Sequence, residues 1–191
     1  MPSTDFAITF FTNLTVLANL ATVGVVAAAV ANYFRAGRAW QAVRSELVGN
    51  GPIVAWLVAA VATSGSLYFS EVADFVPCRL CWIQRACMYP LVVLLLVPRL
   101  RRVAVVLAAI GAVVATYHVV LERFPSLETS GTCDPDTPCS LVWFERLGFV
   151  TLPFMALSGF VLIITLLLPS LSRSGQPALA GHHSAPEEIL S

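Results

Sequence analysis

The stretch Val103–Leu121 reads VAVVLAAIGAVVATYHVVL, and His118 is its only titratable side chain apart from Tyr117. About 20 apolar residues in helical form cross a hydrocarbon core, with a range near 17–25. Four further apolar runs surround it: Phe6–Phe34, Ile53–Phe69, Trp82–Val97 and Leu147–Leu168. The run from Trp82 is short and approaches a full crossing only when drawn back through Cys81. The whole chain agrees, with 191 residues, 58% hydrophobic and 12% charged; soluble domains carry about twice that charged share. Lipid leaves no partner for an open backbone group, so the spans are expected to be helices packed as a bundle. The fold class is therefore all-α, a polytopic membrane helical bundle.

Net charge is zero and no basic face is concentrated anywhere, so neither nucleic acid nor surface adsorption is indicated. All eleven basic residues are Arg. Met1-Pro2-Ser3-Thr4-Asp5 lacks a basic n-region and the apolar run after it is too long for a signal peptide, so it reads as a retained helix. Arg35, Arg38, Arg44, Arg99, Arg101, Arg102 and Arg173 fall in one set of connections, against Arg79, Arg123 and Arg146 in the other. Positive charge stays inside. That predicts an extracytoplasmic N-terminus, a cytoplasmic C-terminus and extracytoplasmic loops at 70–80 and 122–146. Residues 37–51 are expected as a cytoplasmic connection broken at Gly49-Asn50-Gly51-Pro52, and Pro98–Arg102 as a tight turn. The Ser/Pro/Ala/Gly-rich segment after Pro169, with His182-His183, reads as a disordered tail.

Chemistry concentrates in Pro77-Cys78-Arg79-Leu80-Cys81-Trp82-Ile83-Gln84-Arg85. Pro77 favours a helix start, putting Cys78 and Cys81 in the first turn, and steps of three and four predict one face for Cys78, Cys81 and Arg85. Helix N–H groups, the dipole and a nearby Arg all favour a thiolate there. A structural disulfide across three residues would close too small a ring to stabilise much, which favours a redox pair. Arg85 sits about one turn inside the span, where it either snorkels or binds the oxygen of a membrane-soluble acceptor. Tyr89 follows on the same face, and Gln84 reads as a bond to a neighbouring helix. The second pair lies in Cys133-Asp134-Pro135-Asp136-Thr137-Pro138-Cys139, an acidic, Pro-constrained loop that suits an exchangeable disulfide better than a structural one. Cys87 points away from Cys81 and reads as lipid-facing or packing. His118 is either interfacial or functional, and Trp40, Trp82 and Trp143 read as interface anchors.

Together these motifs resemble the DsbB/BdbC family of membrane disulfide bond formation proteins. The likeness runs from Pro77 through Arg85 to Met88-Tyr89-Pro90, returns at Tyr117-His118 through Pro125, and again from Pro138-Cys139 through Trp143, Leu147-Gly148-Phe149 and Pro153. It implies a four-helix core over residues 52–170, preceded in 1–51 by an extra transmembrane helix and connection and followed by a cytoplasmic tail, 171–191. It also implies a bound quinone (ubiquinone or menaquinone) and an extracytoplasmic thioredoxin-like thiol oxidase of DsbA/BdbD type as partner. By the same likeness Cys81 contacts the quinone beside Arg85 and His118, Cys133 takes the mixed disulfide with the partner, and Cys139 exchanges with Cys78. The extra helix departs from the family pattern. So does the loop pair, since only five residues separate Cys133 from Cys139, as in the compact BdbC-like branch.

A thioredoxin-like oxidase can be as oxidising as about −120 mV, so a relay of disulfides alone would run uphill and needs a stronger terminal acceptor. Two rival readings share parts of the pattern. Vitamin K epoxide reductase-like proteins carry their loop pair before the CxxC, the reverse of the order here. A non-enzymatic metal site would gather Cys78, Cys81, Cys133 and Cys139, but outward-facing cysteines in an oxidising compartment favour thiol exchange.

Overall fold

The computed structural model describes residues 2–34, 38–128, 133–134 and 136–171. Five helices follow one another: α1 Pro2–Phe34, α2 Arg38–Glu71, α3 Arg79–Leu94, α4 Arg101–Arg123 and α5 Leu152–Leu171. Short 3₁₀ turns occur at Pro98–Leu100 and Pro125–Leu127. Among the described residues every regular element is a helix and no strand is named, an all-α bundle as the sequence predicts. The tail from residue 172, with Arg173 and His182-His183, lies outside the described residues, as does Arg35.

The bundle is built around α5, which packs against α1, α2 and α4 and touches α3. Phe160, Ile163 and Leu167 on α5 and Leu91 on α3 are wholly buried. Facing them are Ala55 and Ala59 of α2 and Ala104, Ala108 and Ala115 of α4, also fully buried. Small residues let membrane helices approach closely, where van der Waals contact replaces the hydrophobic drive that lipid cannot supply. At Gly111 a side chain would meet the Phe160 ring at 2.4 Å, so only glycine fits between α4 and α5. Large apolar residues point the other way: Leu20, Val23, Val106 and Val113 are all more than 59% exposed. A surface like that suits hydrocarbon, not water. Four of the helices are long and apolar enough to cross a membrane.

The structure moves three sequence-derived boundaries. α2 runs unbroken through Gly49–Pro52, where a break is predicted from the Gly and Pro residues. Its Pro52 forfeits one backbone bond, but Gly51 lies against α5, where a Cβ would come 2.7 Å from the Leu166 carbonyl oxygen, and this packing carries the helix through. α3 begins at Arg79 and ends at Leu94, with Leu95–Val97 in a turn before Pro98, so it has 16 residues rather than a full span. At 1.5 Å per residue that is about 24 Å, short of a hydrocarbon core of about 30 Å. The last helix starts at Leu152, not Leu147. Leu147 and Gly148 adopt φ of 56° and 75°, a left-handed turn closed by the Arg146–Val150 bridge, and a helix cannot run through it.

Candidate redox site

Cys78 stands just ahead of α3 as its N-cap, with extended backbone, and its Sγ accepts the Cys81 N–H at 3.4 Å. The two sulfurs are free thiols 3.0 Å apart, close enough to share a proton. His118, 3% exposed, reaches in from α4 with Nε2 3.7 Å from Cys78 Sγ and 3.0 Å from the Cys139 carbonyl oxygen. Gln84 Nε2 lies 3.0 Å from Nδ1. With the amide donating to Nδ1, the imidazole proton sits on Nε2, aimed at Cys78 Sγ and the Cys139 carbonyl oxygen. The Cys78 thiol is held well below its ordinary range, first by the Cys81 hydrogen bond and then by His118, against the opposing effect of burial.

Cys133 and Cys139 are joined as a disulfide. Cys139 is fully buried in a cluster with Cys78, Leu80 and Leu121, whereas Cys133 is half-buried at its edge. Glu128 fixes the inner cysteine, accepting the N–H groups of Cys139 and Ser140 at 3.0 and 3.2 Å. The Ser140 side chain and these N–H groups hold the half-buried Glu128 carboxyl below the usual carboxylate range. The short loop turns back on itself where Asp134 Oδ1 accepts the Asp136 N–H at 3.1 Å.

On the other side of Cys81 a cavity of about 320 Å³ opens between α1, α2, α3 and α5. Its walls are mostly apolar, and Cys81, Gln84, Arg85, Tyr89 and Ser66 make a polar end. Ser66 organises that end. Arg85 donates through Nε to Ser66 Oγ and through Nη2 to the Ser66 carbonyl, each at 3.0 Å, and the Tyr89 hydroxyl donates to Ser66 Oγ at 3.2 Å. The Arg85 guanidinium also lies 5.2 Å from the Trp82 ring centre. Volume and lining fit a quinone: small-molecule pockets begin near 300 Å³, mostly apolar with a few convergent donors.

Sequence spacing predicts Cys78, Cys81 and Arg85 on one face, but only Cys81 and Arg85 line the cavity. Cys78 faces a small crevice with His118 and Glu122. Helical spacing does not govern Cys78, because its backbone has not yet entered the helix. Cys87 is packed in the core rather than facing lipid, and Trp143, predicted as an anchor, stacks on Phe75 at 4.9 Å. The four-cysteine metal reading is not assembled here, since two of its sulfurs are bonded to each other. Ser66 and Glu128 escaped the sequence reading. The run Thr63-Ser64-Gly65-Ser66 inside an apolar span was the available signal for Ser66, and nothing local marked Glu128.

The family model described as disulfide bond formation protein DsbB matches residues 50–137. Disulfide bond formation protein C of Bacillus subtilis (strain 168) is 41% identical over 115 residues, covering 57% of this chain and 83% of that protein. A probable disulfide formation protein of Oceanobacillus iheyensis is 35% identical over 133 residues, 66% of this chain and 92% of its own length. Probable disulfide formation protein C of Halalkalibacterium halodurans is 40% identical over 125 residues, 62% of this chain and 91% of that protein. No solved structure gives a significant match. With a membrane helical bundle, a CxxC pair set against a loop disulfide, and relatives covered over most of their length, this chain belongs to the DsbB family of disulfide bond formation proteins.

Proposed function

We propose that the chain is a thiol:quinone oxidoreductase that reoxidises an extracytoplasmic thioredoxin-like thiol oxidase of DsbA/BdbD type. One observation carries the reading: of two adjacent sulfurs at the start of α3, Cys78 meets His118 and packs with Cys139, while Cys81 borders both that crevice and the cavity with Arg85. The pair joins a thiol-exchange surface to a lipid-soluble acceptor.

A thiolate of the reduced partner attacks Cys133, breaking its bond to Cys139, and the partner's second thiol then releases Cys133 as the partner's own disulfide closes. Cys139, buried beside Cys78, attacks Cys78 of the oxidised helix pair, and Cys133 resolves that mixed disulfide. The loop disulfide is restored and the helix pair is left as a dithiol, the sulfur state seen in this structure. A quinone, ubiquinone or menaquinone, supplies the terminal oxidation by taking two electrons and two protons. Arg85 holds an acceptor oxygen and favours negative charge on it, while His118 stabilises Cys78 as thiolate. The sum is partner dithiol plus quinone giving partner disulfide plus quinol.

Arg85→Leu tests the acceptor end. A hydrogen bond to a charged group contributes about 1.5–3 kcal/mol, so apparent quinone KM is expected to rise roughly 10- to 100-fold. Single-turnover oxidation of the partner by the loop disulfide stays at wild-type rate. An unchanged KM in quinone-dependent turnover would remove Arg85 from the acceptor site.

The Arg asymmetry supports an extracytoplasmic cysteine end. The Arg146–Asp5 ion pair, at 3.0 Å, brings the start of α1 to that same end. In a chain whose five cysteines are Ser, Val72→Cys should react with an impermeant maleimide on intact cells and Leu100→Cys only after lysis. The reverse pattern would invert the topology.

A further inference from the structure

α1 lies outside residues 50–137 that match the family, yet it forms part of the cavity wall. Phe11, Leu14, Thr15 and Ala18 line it. Their spacing is that of one helical face. Two contacts fix how the face is presented. Arg146 pairs with Asp5 near the start of the helix, and Asn19 Nδ2 donates to Ser158 Oγ on α5 at 2.8 Å. The Thr12 and Thr15 hydroxyls turn back onto the Ile8 and Phe11 carbonyls of their own helix at 2.7 and 2.8 Å. No hydroxyl on that face is left needing a partner, so α1 adds apolar surface to the cavity rather than a hydrogen-bonding site.

Phe11 is the aromatic member of this face. A Cβ at Gly65 would lie 2.6 Å from its ring, so α2 keeps glycine there and the ring lies against the helix backbone. The ring centre is 5.5 Å from that of Phe69. Gly65 precedes Ser66, which grips Arg85 and Tyr89, so Phe11 packs on the turn of α2 that carries the polar end.

We propose that α1 is a component of the acceptor site, its Phe11–Ala18 face closing the cavity and Phe11 determining how tightly an acceptor ring is held beside Arg85. The ligand class is a flat quinone ring bearing an apolar tail. An aromatic edge or face suits the ring, and the aliphatic remainder of the wall suits the tail. The inference rests on the quinone reading above.

The test uses the full chain in detergent or lipid, with a short-tailed soluble ubiquinone analogue and a reduced thioredoxin-like partner. Phe11→Ala is expected to raise apparent quinone KM about five- to tenfold with kcat within about twofold. Partner oxidation in a single turnover stays unchanged. Phe11→Leu, which keeps bulk without the aromatic ring, shifts KM in the same direction and serves if the Ala variant does not fold. Gly65→Ala, which must push the ring aside, also raises KM but adds nothing in the Phe11→Ala background, because the two act through one contact. If Phe11 variants keep wild-type KM while Arg85→Leu raises it, α1 is not part of the site and the quinone reading stands. If neither residue moves KM, both readings are overturned. A fall in kcat at constant KM would make α1 a purely structural brace and defeat the proposal.

Discussion

Cys81→Ser is expected to oxidise a reduced thioredoxin-like partner once and then stop. The loop disulfide is already formed and does not involve Cys81, so the first partner molecule meets an intact Cys133–Cys139 bond. That bond cannot be renewed, because with Ser at 81 the helix pair has no disulfide to pass back to Cys139. Sustained quinone-dependent turnover should fall by about 10³-fold or more, in line with loss of an essential nucleophile. Alkylation shifts read after one cycle should show Cys133 and Cys139 reduced. Cys87→Ser is the control, since Cys87 is packed in the bundle core away from both pairs. Repeated turnover in the Cys81 variant, or its loss in the Cys87 variant, would mean that the electrons take another path.

His118→Ala should produce the next largest loss, and the loss should depend on pH in a defined direction. In the folded protein the Cys78 thiol is depressed, by the Cys81 hydrogen bond foremost and His118 after it. A depressed thiol is already thiolate at neutral pH, and its thiolate fraction declines only as pH falls through that low value. Removing His118 raises the thiol towards its ordinary value, so at pH 6 less of Cys78 is thiolate while at pH 8 much of it is recovered. It also makes Cys78 a poorer leaving group when Cys133 resolves the Cys78–Cys139 bond. Turnover is expected to fall roughly tenfold at pH 8 and on the order of 100-fold at pH 6, with the mixed disulfide accumulating. Gln84→Leu, which frees Nδ1 of its partner, should shift the profile the same way but less. A loss of equal size at both pH values would leave His118 as a packing residue.

The helices and the cysteine pairs were legible in the sequence because each is marked by local chemistry. Apolar length announces a span, and Pro77 announces the start of α3. Helix ends were less legible. The Gly49–Pro52 segment stays helical because Gly51 packs against Leu166, more than a hundred residues away in sequence. The sequence also put Cys78 on the helix face, whereas its N-cap backbone turns it towards α4. The partners that tune the site were the least legible. Ser66 gains meaning only when α2 and α3 meet, Glu128 only when the loop folds onto it, and His118 only when Gln84 and Cys139 close around it. Tertiary contact made those roles, so no local pattern could record them.

Burial of the two inner sulfurs also controls leakage. Cys78 is 6% exposed and Cys139 wholly covered, so within the loop pair small thiols in the surrounding fluid can approach only Cys133, while the half-buried Cys81 opens to the apolar cavity. A glutathione-sized reductant that attacks there meets an acidic loop, with Asp134 and Asp136 exposed on either side of Pro135, which repels an anionic thiol. A folded partner can offset that repulsion with contacts spread over a wider surface. Under the proposed function the arrangement acts as insulation, favouring protein donors over stray small reductants.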